Sequence, residues 1–110
     1  MKINTRTVDS AVIIEPIGDI DLYSSIEVRK TVLSLVKKQV PFLLIDLGRV
    51  EYMDSSGVAT LVEGLQATRA YGGQLALVNL GSGVKAVFEL SRLDKVFEIY
   101  ENLEEAISKC

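Results

Sequence analysis

The sequence predicts an α/β fold. It is a mixed β-sheet that starts with a hairpin and is covered by helices, in the order β-β-α-β-α-β-α-β-α, as a single domain over residues 1–110. Three observations predict it. Two strand-like segments at the N-terminus are parted only by the turn residues Asp9-Ser10, which reads as a hairpin. Two almost continuous apolar runs, PFLLIDLG (41–48) and QLALVNL (74–80), read as strands buried on both faces, which is typical of parallel pairing. Around these runs apolar residues recur at helical spacing. A hairpin followed by alternating helices and strands implies a mixed sheet under helices, and right-handed crossovers restrict how the parallel strands connect.

Taken in order, the first strand is expected over Lys2 to Thr7 and the second over Ala11 to Ile17. Pro16 lacks a backbone N–H, so it belongs at a sheet edge or a strand end. Gly18-Asp19-Ile20-Asp21 forms a loop. Ser24 precedes Glu27 by three residues, the spacing of a capping box. Val28, Val32, Leu35 and Val36 then supply the stripe of a helix ending near Lys38, and Pro41 lies beyond it.

After the strand at 41–48, YMDSSGVATLVEGL (52–65) places Val58, Leu61, Val62 and Leu65 on one helical face. Gly72-Gly73 ends that helix. QLALVNL forms the next strand, and GSG leads into a short helix, Val84 to Ser91, with Val87 and Phe88 inward. Val96 to Tyr100 is the last strand. Asn102 and Glu105 cap a final helix.

The 110 residues are enough for one core, and 48% apolar with 25% charged residues is an ordinary globular composition. Net charge is -3 with no basic stripe, so direct nucleic-acid binding is not expected. No apolar run approaches the roughly 20 residues of a membrane span. MKINTRTVDS has no signal-peptide core, so export is not expected and a cytoplasmic setting is. Cys110 is the only cysteine, which excludes an intrachain disulfide. The chain contains no histidine, which removes Ser-His and Cys-His nucleophile pairs and histidine metal ligands. An enzyme is not expected, nor a bound cofactor or metal.

Function is expected in loops at the C-terminal ends of the parallel strands. Three stretches qualify. GSGVKA follows a strand and opens a helix, with Glu101 about twenty residues on, in outline a dinucleotide fingerprint. Against that reading, the helix is short and a second mononucleotide half is missing. The plainer alternative is a tight turn with Ser82 as cap. Asp19 and Asp21 in GDID could ligate a metal, serve recognition, or be solvated turn residues. In DSSG (54–57), Asp54, Ser55 and Ser56 are expected helix-cap residues. A serine hydroxyl there is also a candidate for regulation, because a phosphate would carry about -1.5 to -2 charges and meet free N–H groups at the helix start.

Beyond spacing, the residues resemble a known family, the STAS-domain anti-anti-sigma factors (anti-sigma factor antagonists). GDID (18–21), LLIDLGRVEYMDSSG (43–57), YGGQLALVNL (71–80) and FELSRLDKVFEIYENLEEA (88–106) carry the likeness almost end to end. The resemblance implies a phosphorylated binding partner rather than an enzyme. The unphosphorylated form of such proteins binds an anti-sigma factor that is itself a serine kinase and so frees a sigma factor. A PP2C-type phosphatase reverses the modification. The acceptor maps onto Ser55, and Ser56 becomes a cap or support residue, although spacing alone does not separate the two hydroxyls.

Asp21 and Asp54 match acids near the acceptor, and Asp19 and Gly57 belong to the same two turns. A monomer is expected. Many relatives continue the turn with Gly-Leu-Gly, whereas this chain has Gly57-Val58-Ala59, which stiffens the helix start and bears on partner fit. STAS domains also serve lipid-transport complexes, so a stand-alone accessory subunit is the alternative implied by the same resemblance.

Overall fold

The computed structural model describes residues 1–110. The strands are β1 (Lys2–Val8), β2 (Ala11–Ile17), β3 (Phe42–Asp46), β4 (Gln74–Val78) and β5 (Glu98–Tyr100). The α-helices are α1 (Ser24–Lys37), α2 (Ser55–Ala70), α3 (Ser82–Leu90) and α4 (Leu103–Ser108). The sheet order is β1-β2-β3-β4-β5. β1 and β2 form the expected antiparallel hairpin, with Val8 opposite Ala11 and Lys2 opposite Ile17. Every later pairing is parallel, so β3 lies at the centre as its unbroken apolar run implies. Pro16 lies past the last β2–β3 partner pair, Ile14–Ile45, where its missing N–H breaks no bond to β3.

Alternation along the strands makes two cores. Ile14, Leu43, Ile45, Leu75 and Leu77 meet Val28 and Val32 of α1, Leu61 and Leu65 of α2, and Val84 and Phe88 of α3. Ala11, Ile13, Leu44, Ala76 and Val78 face the other way and meet Ala106 of α4. α1, α2 and α3 therefore share one face, as successive right-handed crossovers in one direction require. Phe88 packs edge-on against Phe97, with ring centroids 5.4 Å apart.

Four local expectations are corrected. The capping box at Ser24 does not form, because the Asp21 carboxylate takes the N–H groups of Tyr23 and Ser24, both at 2.9 Å. Glu27 instead accepts from the Met1 ammonium. Gly81, not Ser82, is the N-cap of α3, without a side-chain bond. The last strand begins at Glu98 rather than Val96, because a 3₁₀ turn at Leu93–Lys95 follows Arg92, which has φ +61°. α2 is capped by Asp54, and Ser56 lies inside the helix.

Candidate functional site

Two loops at the C-terminal ends of β2 and β3 run side by side. Ile20 N–H donates to the Tyr52 carbonyl at 2.9 Å, Asp54 N–H to the Ile20 carbonyl at 3.1 Å, and Gly18 N–H to the Arg49 carbonyl at 3.1 Å. Ile20 and Met53, which pair in parallel, are buried in the main core and anchor both loops. Gly18 has φ +110°, a conformation that L side chains rarely adopt, and it turns the chain out of β2. The GDID (18–21) and DSSG (54–57) stretches, distant in sequence, thus form one surface.

The DSSG turn is built around Asp54. One carboxylate oxygen accepts from Ser56 N–H at 3.0 Å, Gly57 N–H at 3.3 Å and the Ser56 hydroxyl. The Ser56 hydroxyl bond, with the two N–H groups, holds the Asp54 carboxyl below its usual pKa range, while neighbouring Asp21 and desolvation oppose this. Asp21 is held low in the same way, first by Ser24 N–H and then by Tyr23 N–H. The Ser24 hydroxyl donates to the Asp19 carbonyl at 2.8 Å and accepts from Asp21 N–H at 2.9 Å, which closes the first loop.

Ser55 differs from its neighbour. It is exposed and its hydroxyl makes no hydrogen bond, whereas Ser56 is half-buried and tied to Asp54. Asp19 is exposed at the rim. Gly57 serves a close approach: a Cβ there would stand 2.6 Å from Met53 Cγ and 2.7 Å from Ile20 Cγ2. The first turn of α2 can therefore sit directly on the buried pair. Ala59 is exposed, so its methyl adds to the surface and not to the core.

The sequence expectation of free N–H groups for a phosphate needs revision. Asp54 already occupies the start of α2, so an added phosphate meets a carboxylate there. Sequence reasoning also missed Ile20 and Met53 as the joint between the loops. The usable signal was an apolar residue inside each acidic or polar loop.

The GSGVKA turn looks different. A Cβ at Gly83 would meet the Glu51 carbonyl at 3.3 Å, so the glycine allows a chain-to-chain approach. Glu101 does lie nearby, in a cleft of about 250 Å³ with Lys85, Glu89 and Asp94. Three carboxylates against one ammonium disfavour a phosphate there. No group of three or more acidic or thiol side chains is gathered to hold a metal ion. No helix is long and apolar enough to cross a membrane.

Comparison with known proteins agrees with this geometry. The STAS domain family model matches residues 2–106. The anti-sigma-B factor antagonist of Listeria monocytogenes is 32% identical over 87 residues, covering 79% of this chain and 75% of that protein. The anti-sigma-B factor antagonist of Bacillus subtilis is 32% identical over 82 residues, covering 74% of each. The crystal structure of TM1081 from Thermotoga maritima matches with a TM-score of 0.93 at 27% identity, covering 97% of this chain and 92% of that one. Sequence model and fold agree over nearly the whole length, and this chain belongs to the STAS domain family.

Proposed function

We propose that this protein is an anti-sigma factor antagonist of a bacterial, cytoplasmic partner-switching pathway. It is a regulated binding module and not an enzyme. Unphosphorylated, it binds an anti-sigma factor that is also a serine kinase, and a sigma factor is released. Phosphorylation of Ser55 ends that binding, and a PP2C-type phosphatase restores it. The relatives named anti-sigma-B factor antagonists support the role.

The observation that carries the residue assignment is the contrast at the turn. Ser55 presents an exposed hydroxyl without a hydrogen-bond partner, and the Ser56 hydroxyl is committed to Asp54. A kinase can reach the first without breaking the cap of α2.

The physical basis is local. A dianion on Ser55 would join Asp54, which already fills the helix start, and Asp21 close by. Bulk, desolvation and repulsion from partner carboxylates then oppose docking. Two unit charges about 4 Å apart near a protein surface interact by about 4 kcal/mol. A loss of roughly 3–4 kcal/mol weakens binding several-hundred-fold. No shape change is needed.

The test uses the purified anti-sigma factor kinases of the host, ATP and mass mapping of the modified peptide. Wild type is expected to be modified once, on Ser55, and to lose binding several-hundred-fold. Ser55→Ala should bind and resist modification, and Ser55→Asp should not bind. Modification of Ser55→Ala on the same peptide to wild-type extent would overturn the assignment. Normal function of both variants in cells would favour a constitutive subunit of a transport complex.

A further inference from the structure

Six large apolar side chains are exposed on this protein, and four of them flank the candidate site. Leu22, Tyr23 and Ile26 are 64%, 81% and 54% exposed, directly after Asp21 and along the first turn of α1. Tyr52, 54% exposed, stands two residues before Asp54 on the adjoining loop. Ile26 is out of phase with the buried Val28 and Val32 of its own helix, so core packing does not account for it. Solvent-exposed aliphatic and tyrosine side chains on and beside two hydrogen-bonded loops mark an interaction site.

We infer that Leu22, Tyr23, Ile26 and Tyr52 are the affinity anchors for the anti-sigma factor, beside a Ser55 that acts only as the switch; this rests on the function proposed above. Charge selects the occupant. The two loops hold Asp19, Asp21, Glu51 and Asp54 against Arg49 alone. A second copy docking through the same patch about a two-fold axis would set these acids against themselves. An anionic lipid surface would be repelled likewise. The complementary surface is a protein with an apolar pocket whose Lys and Arg meet Asp19 and Glu51, which line one cleft, and whose carboxylates lie opposite Ser55. The anchors remain in place when Ser55 is modified, so the kinase uses them to hold its substrate.

The test measures binding of full-length alanine variants at the four positions to the host anti-sigma factor that binds wild type. Leu90→Ala is the control, since Leu90 is 87% exposed on the end of α3. At least two of the four variants should bind about thirty-fold more weakly, the size of a hot-spot truncation. Their melting temperatures should stay at the wild-type value, and phosphorylation of Ser55 should slow through KM with kcat retained. Leu90→Ala should match wild type.

If all four bind within twofold of wild type while Ser55→Asp does not bind, the anchors are wrong and the switch stands. If Ser55→Asp binds like wild type, or no anti-sigma factor binds, the proposed function itself fails. Concentration-dependent dimers lost in Tyr23→Ala would overturn the choice of occupant, as would flotation of the wild type with phosphatidylglycerol vesicles.

Discussion

Gly57→Ala tests the packing that seats the DSSG turn. The new methyl would meet Met53 Cγ at 2.6 Å and Ile20 Cγ2 at 2.7 Å. Neither atom can swing aside cheaply. Cγ is in the middle of the methionine chain, Cγ2 sits on a branched carbon, and both residues are buried. Overpacking of this kind costs about 1–3 kcal/mol. Alanine in a helix returns up to about 1 kcal/mol through propensity. The net expectation is a loss of about 1–2 kcal/mol, or about 4–8 °C in Tm for a chain of this size.

Gly64→Ala is the internal comparison. Its methyl would meet Val32 Cγ1 at 2.9 Å and Leu75 Cδ1 at 3.3 Å, both longer approaches than those at Gly57, in mid-helix where propensity gains are full. It should cost less than Gly57→Ala. Urea unfolding with a shared m-value measures both. If Gly57→Ala is as stable as wild type, or if the order of the two is reversed, the close seating of α2 on Ile20 and Met53 is refuted.

Two other outcomes follow from the site. Asp54→Ala removes two N–H bonds at the start of α2 and should cost about 0.5–2 kcal/mol, while Asp54→Asn should keep most of the cap. Because the folded protein holds the Asp54 and Asp21 carboxyls low, their contribution is complete above the ordinary carboxylate value of about 4. It is lost as pH falls through the lowered folded value. The stability gap between wild type and Asp54→Asn should therefore shrink on acidification, and a gap that widens in acid would contradict the cap. Arg29 binds Glu63 through two contacts of 2.7 and 2.9 Å across α1 and α2, but both side chains are about half exposed. A double-mutant cycle should give about 0.2–1 kcal/mol and less in molar salt.

Much of the fold was legible because its signals are local. The hairpin, the buried runs at β3 and β4, and the stripe of α1 depend on periodicity, which burial enforces residue by residue. The misreadings arose where two local solutions competed. Ser24 and Glu27 satisfy the spacing of a capping box, but Asp21 offers the same helix an ionised oxygen, and the carboxylate wins. At α2 the same competition favours Asp54 over either serine. In both cases an aspartate in the loop takes the N–H groups and leaves a serine in support. The difference between Ser55 and Ser56 was not legible, since it depends on which hydroxyl faces the Asp54 carboxylate. The joining of the two loops was hidden for another reason: the Ile20–Met53 pairing links residues thirty-three positions apart, and no periodicity encodes it.

This joining suits the turn to the charge switch proposed above. An empty helix N-terminus would welcome a phosphate and draw its charge inward through N–H bonds. Here Asp54 holds those N–H groups, and Asp21 holds those of the neighbouring helix. Both carboxylates are ionised at neutral pH, as aspartates ordinarily are, and their hydrogen bonds lower their pKa values further. A phosphate on Ser55 would find the Ser56 and Gly57 N–H groups already bonded to Asp54, so most of its charge would be presented outward to whatever docks. Ile20, Met53 and Gly57 make the turn too tightly seated to retreat. In the proposed switch, the same packing that keeps the backbone fixed would direct the effect of modification to the partner's surface.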